Sequence, residues 1–564
     1  MPTTSTVRRS INPWLVLALV AIPVFVGSLD LTIVSAFLPE IIVQFELPVE
    51  SVVDDAAWVV TGYLLAYTIS MMFMGRVSDL IGRWRAFLIC LIIFIIGSFI
   101  VAEIDPRARQ GVANIVYNAL FRITGIRPDA GEAALATVVI GRVIQALGAG
   151  ALVPVSLALV GDLFPPEKRA QPLGLIGAID TLGWVLGHLY GGIMVNWFSV
   201  NRDAFAQALA PLGLPPPDWR TLFWINLPIS AIALVGAWWA LRRVPQARAP
   251  GRFDWLGTAL VSGALLCLVI GLGANIEIST TTTNFEDLGG LPPYAAPLLI
   301  AAAVMFVLFI VVELRARDPL FDLKLFRRRN FSAGLATNLF VGFCLMIGLV
   351  SVPILVNIRV ADATRLAEAA LQVGILLSAL TVPMALAAIP GGWVAARFGN
   401  AAAAASGLAL AAVGFALIWQ TWTIEVADAV LAAEMALVGV GLGLTFSPIS
   451  AAVINAADRN RLGMASALVI IMRLMGMTIS VSLLTAFASS RLAGLAAAEL
   501  GSQVVDPYAA IEVYSRLTVQ VLSEMGLLGA AVCLVGLIPA LLLRPSKDDG
   551  EPAAERVPAR TTGD

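Results

Sequence analysis

The chain has 564 residues, of which 59% are hydrophobic and 13% charged. That balance excludes a soluble globular domain and describes a polytopic, all-α membrane protein. A net charge of −2 offers no basic surface for nucleic acid, and one histidine with four cysteines offers no metal set or serine-type triad. No GxxxxGK[ST] loop is present, so the chain has no ATP site of that kind and no cofactor is expected beyond a proton gradient.

Arg8 and Arg9 precede the first apolar run, which lacks a small-residue cleavage site and reads as a retained span. Runs of about 20 residues, the length a ~30 Å hydrocarbon core requires, recur fourteen times. They cover 13–38, 57–75, 86–103, 134–158, 171–197, 222–241, 254–273, 294–313, 331–355, 370–390, 401–419, 430–454, 464–488 and 521–543. An even number puts both termini on one side. With those termini in the cytoplasm, 24 of the 36 Lys and Arg fall inside and 10 outside, as the positive-inside rule requires. The bilayer is therefore the first partner, and a plasma (inner) membrane location with cytoplasmic termini is expected.

Between the second and third runs lies Gly75-Arg-Val-Ser-Asp79-Leu-Ile-Gly82-Arg83-Trp-Arg85, too charged for lipid and too short for a domain. Gly75 allows helices to approach, Gly82 permits a tight turn, and Asp79 suits a helix N-terminus or an arginine. The same glycine spacing returns at Gly392…Gly399, with Ala396 in the place of Asp79. Two such turns predict two six-helix bundles, 13–243 and 331–545. Two extra spans with a basic linker (244–330) lie between them, and short tails (1–12 and 546–564, the latter disordered) flank them.

Three outer segments exceed a tight turn. The stretch 104–133 carries an apolar stripe (Val112, Ile115, Val116, Leu120, Ile123) that either lies on the membrane surface or packs on neighbouring spans. Residues 198–220 end in a rigid LPPPDWR return, and 489–520 extends the flanking spans beyond the bilayer.

Charges inside spans are costly and need partners. Asp30 in the first span and Arg142 in the fourth lie at matching depth, as do Asp180 in the fifth and Arg473 in the thirteenth. Each pair reads as a salt bridge, either a static clamp or a titrating switch. The fifth span, with Gly183, Gly187, His188, Gly191 and Gly192, presents a smooth face for close packing. His188 either titrates or bonds a backbone carbonyl.

The Gly75–Arg85 loop, together with LDLTIVSAFLPEI, WVVTGYLLA, GRVIQALGAGA and DWRTLFWINLP, resembles the fourteen-span drug:proton antiporter branch of the major facilitator superfamily. VLGHLYGG, GLGLTFSPISAA and IIMRLMGM are similar to its mycobacterial exporters of triacylglycerol-type lipids, which work with a periplasmic lipoprotein. The resemblance implies proton-coupled, rocker-switch efflux of a hydrophobic molecule. It assigns coupling to Asp30 and Arg142 and a cytoplasmic gate latch to Asp79. One departure stands out: His188 occupies the place of the antiporter motif's proline, which removes an expected bend.

Multidrug and lipid export are both open on the residues alone. An embedded acyltransferase would want a histidine beside an acid, yet His188 and Asp180 are about 12 Å apart along one helix. A non-transporting sensor would show the same spans and no flux.

Overall fold

The computed structural model describes residues 12–34, 37–45, 52–104, 111–125, 127–213, 215–244, 251–272, 293–360, 366–500 and 507–544. Among them are seventeen α-helices and no strand. In order these are α1 (Pro13–Ile33), α2 (Leu38–Gln44), α3 (Val52–Ile81), α4 (Arg83–Ala102), α5 (Gly111–Thr124) and α6 (Ala130–Leu163). Next come α7 (Ala170–Val200), α8 (Arg202–Leu209), α9 (Trp219–Leu241), α10 (Trp255–Leu272) and α11 (Ala295–Arg315). The last six are α12 (Arg329–Val360), α13 (Leu366–Phe398), α14 (Asn400–Thr421), α15 (Asp428–Ala456), α16 (Leu462–Leu500) and α17 (Pro507–Leu541). Fourteen of them, all but α2, α5 and α8, are long and apolar enough to cross a bilayer. The tail 546–564 lies outside the described residues.

Local chemistry fixes where these helices begin. Asn12 caps α1 with Pro13 at its first position, and Asp129 with Glu132, and Asp218 with Thr221, close capping boxes on α6 and α9. Gly82 and Gly399 hold φ of 97° and 91°, which turns the chain sharply between α3 and α4 and between α13 and α14.

The first six-helix bundle is α1, α3, α4, α6, α7 and α9, and the second is α12 to α17. The extra helices α10 and α11 pack on each other, and α10 also rests on α3 and α16. One apolar core fills the first bundle and its contact with α16, and another fills the second bundle. A smaller aromatic cluster, with Phe37 stacked on Trp219 and Phe223 edge-on, closes the far end of the first bundle. Asn12 and Arg544 lie at the same end of the assembly, called proximal below. Trp14 packs on Phe164 there, and the Arg544 backbone N–H and carbonyl both bond the side-chain amide of Asn330.

Some element limits differ from the sequence expectation. α1 stops at Ile33 rather than 38, and the short α2 follows it. The return at 198–220 contains α8. In α5 only Val116 of the apolar stripe is buried, against α6, while Ile115 (68% exposed) and Ile123 (82%) face outward. α16 runs 39 residues, about 58 Å at 1.5 Å per residue, roughly twice a ~30 Å core. Its distal part runs alongside α17, held by Arg491 to Glu524 at 2.8 Å and by Arg516 to Glu499.

Candidate functional site

Asp30 and Arg142 meet inside the first bundle, both with 0% exposure. One guanidinium nitrogen of Arg142 pairs with Asp30 Oδ2, and the other donates to the Asp30 carbonyl at 3.1 Å. Asn226 Nδ2, from α9, donates to Asp30 Oδ1 at 2.9 Å. Arg142 also donates to Gln145 Oε1 at 2.8 Å, and Gln145 donates to Ser98 of α4 at 2.7 Å. The Tyr63 ring lies 3.9 Å beneath the guanidinium, a cation–π contact that adds most where water is absent. Both carboxylate oxygens are therefore satisfied, as a buried charge demands. Protonation of Asp30 would remove the charge pairing between Asp30 and Arg142 and leave the bond to the Asp30 carbonyl and the packing of α1 on α6. Asn226 and Tyr63 were not singled out from sequence. The signal for Asn226 was its polar side chain within the apolar stretch Trp224-Ile225-Asn226-Leu227.

Asp180 and Arg473 meet between the bundles. Arg473 donates to Asp180 Oδ2 at 3.1 Å, Ser28 of α1 donates to Oδ1 at 2.7 Å, and the Phe446 ring lies 4.8 Å from the guanidinium. Their side chains keep 13% and 16% exposure because they line a cavity of ≈ 50 Å³. Tyr67, Trp184, Met384, Phe446 and Met477 are among the apolar walls. A space of that size is far below the ~300 Å³ at which drug-sized sites begin. No such cargo fits it in this conformation.

Glycines on α7 seat that helix against α1. A methyl group on Gly183 would meet the Phe25 carbonyl at 2.7 Å, and one on Gly187 would meet Thr32 and the Leu29 carbonyl. Gly191 is buried, whereas Gly192 faces open space. α7 runs unbroken through these positions. The side chain of His188 lies outside the described residues.

At the proximal end, Asp79 reaches across to the second bundle. Its carboxylate accepts the Gly463 N–H at 2.9 Å and the Met464 N–H at 3.1 Å, capping α16 where the helix exposes unpaired donors. Gly75 makes this possible, since a Cβ there would lie 2.6 Å from the Gly463 carbonyl. Arg83, fully buried, donates to Asp79 at 3.1 Å, to the Arg459 carbonyl at 3.1 Å and to Asp162. Asp162 was not anticipated from sequence. Its neighbour Arg169 bridges the bundles too, donating to the Gly161 carbonyl at 2.6 Å and to Asn455 at 2.9 Å. Burial pushes the Arg169 guanidinium down from its ordinary value, with Arg459 adding to the shift and Asp162 opposing it. Ser447 bonds the Ala170 carbonyl beside it. Together these contacts close the proximal end.

The Major Facilitator Superfamily model matches residues 20–361. A triacylglyceride transporter of Mycobacterium tuberculosis is 32% identical over 556 residues, covering 95% of this chain and 96% of the relative. One from Mycolicibacterium smegmatis is 31% identical, covering 94% and 87%. Among solved structures, a human organic anion transporter aligns with TM-score 0.52 at 16% identity, covering 93% of this chain and 100% of its own. A proton:xylose symporter aligns at 0.51 and 14%, covering 92% and 94%. Both share the fold. The fourteen spans, the paired bundles and these relatives converge, and the chain is a membrane transporter of the major facilitator superfamily.

Proposed function

We propose that this transporter exports a hydrophobic lipid of the triacylglycerol class in exchange for protons, with Asp30 as the coupling group. The observation that carries the reading is the Asp30 carboxylate, sealed from water and held by side chains from two other helices. Such a charge is costly to keep in a bilayer core and becomes useful only when it can be neutralised. A proton from outside frees Arg142, α1 and α6 separate, and deprotonation toward the cytoplasm restores the pair. Asp180 and Arg473 act as a second, inter-bundle pair beside the cargo cavity. Asp79 and Arg83 hold the cytoplasmic gate at the proximal end.

Lipid rather than drug cargo is favoured by relatives of nearly full length that are named triacylglyceride transporters. The apolar cavity walls and the projecting α16–α17 pair suit acyl chains and hand-over to a periplasmic lipid-binding lipoprotein. The basic residues at the proximal end support a reading in which both termini lie in the cytoplasm of an inner-membrane protein.

The test is purified protein in proteoliposomes with a fluorescent triacylglycerol and an imposed pH gradient. Wild type should move lipid down the coupled gradient. Asp30→Asn, which imitates the protonated acid at nearly the same volume, should insert normally and lose gradient-driven transport. Undiminished transport by Asp30→Asn would move the coupling site elsewhere, with Asp180 next. A dye-class drug carried in place of the lipid would overturn the cargo.

A further inference from the structure

The extra helices α10 and α11 carry chemistry that the proposed transport cycle does not use. Glu313 sits in the last turn of α11, an apolar span, with only 4% exposure. Its carboxylate accepts the Leu320 N–H, at 3.1 Å to Oε1, and the Phe321 N–H also acts on it, while its buried Oε2 is without a hydrogen-bond partner. Asp254, which precedes α10, accepts the Gly257 N–H at 2.8 Å through Oδ1, and its buried Oδ2 also accepts nothing. The two acids face each other across one backbone position. A methyl group on Gly257 would touch both Asp254 Oδ2 and Glu313 Oε1.

The two carboxylates repel each other, and each leaves a buried oxygen without a donor, so one proton held between them relieves both costs. The charges around them do not compensate. Arg315 and Arg317 are exposed, the Asp318 carboxylate takes the Arg252 N–H at 3.1 Å, and Asp322 pairs with Arg461. Among the described residues, the buried cation that acts on Glu313 is Arg76 of α3, the helix on which α10 rests; it is 6% exposed, and its buried Nε bonds nothing. Arg76 follows Gly75 and also acts on Asp79 and Arg461, so it links the acid pair to the proximal closure.

We propose that Asp254 and Glu313 form a proton-binding site at the proximal base of the two extra helices, holding one proton between two carboxyl groups and reporting its charge to the gate helix through Arg76. This is a second protonation site, separate from Asp30 and Asp180. Gain of the proton weakens the pull of the pair on Arg76, and loss strengthens it. The two extra helices thereby acquire a role beyond filling space beside α3 and α16.

The experiment reads the proton directly and needs no transport. Infrared difference spectra of the purified full-length protein, acidic minus alkaline, should contain a protonated-carboxyl band. That band should disappear in Glu313→Gln and in Asp254→Asn and persist in Asp30→Asn. Arg76→Gln should carry it to more alkaline pH, because losing a nearby cation favours the neutral acid. Wild type treated with a hydrophobic carbodiimide, which attacks protonated carboxyls, should be modified at Glu313 or Asp254 and spared at high pH. A band unchanged in both acid variants, or carbodiimide adducts that never include either residue, overturns the site. A band that Arg76→Gln leaves in place overturns the link to the gate helix. Because the readout is protonation alone, a failure of the Asp30 reading and a failure here are separate results.

Discussion

The two glycine turns share a backbone and differ in what they do. At Gly75–Arg83 and at Gly392–Gly399 the helix ends at a glycine with φ near 90° to 100°, and the first glycine of each meets the other bundle. A Cβ on Gly75 would strike the Gly463 carbonyl, and a Cβ on Gly392 would strike Gln171 and Ser447. The first turn adds a buried carboxylate that caps α16. The second has Ala396 at the equivalent place, exposed, and the N-terminus of α7 has no side-chain cap. Close packing is thus symmetric across the proximal end, but charge is not. The asymmetry teaches that small residues bring the helices together, while one carboxylate holds them there on one side only.

Removing that carboxylate is the harshest way to break the comparison. Asp79→Ala deletes two charge-assisted bonds to α16 and removes one of the three partners of Arg83. At about 1.5–3 kcal/mol for each bond to a charged group, closure should weaken by roughly two orders of magnitude or more. Efflux should be lost while membrane insertion is kept, and spin-label distances across the proximal end should lengthen. Wild-type efflux in this variant would show that α16 needs no cap from the other bundle.

Packing comes next. Gly463→Ala drives a methyl group into the Gly75 carbonyl and Ser78, and Gly392→Ala places one 3.0 Å from the Gln171 Cα. Overpacking of this kind costs about 1–3 kcal/mol, so each should reduce the closed population roughly tenfold. Gly463→Ala should be the worse, because its methyl would overlap the Gly75 carbonyl far more closely than the 3.0 Å at which the Gly392 methyl meets backbone. The same distance measurement checks both, and equal closure in the two variants and wild type would deny that small residues set the approach.

The mildest change sharpens the point. Ala396→Asp restores the missing acid, but this position faces open surroundings rather than the start of α7. Efflux should stay within about twofold of wild type, since exposed charges contribute little. A marked slowing of gate opening would mean that the second turn latches once given a carboxylate.

Much of this was legible beforehand because a bilayer enforces it. Backbone groups without water must pair within their own helix, so apolar runs of sufficient length had to be spanning helices. A charge in such a run needed a partner, which made Asp30 with Arg142 and Asp180 with Arg473 readable from depth alone. Gly82 and Gly399 announced turns because few other residues adopt their backbone angles.

What the sequence could not supply is which neutral groups complete each pair. Asn226, Tyr63 and Ser98 come from α9, α3 and α4, and nothing in their spacing points at Asp30. Asp162 completes Arg83, and Glu313 and Asp254 come together beside Gly257 from the ends of two different helices, only because the helices assemble as they do. Helix identity follows from local hydrogen bonding and hydrophobic length, both written along the chain. Which faces meet depends on packing between segments hundreds of residues apart, and only the tertiary structure decided that.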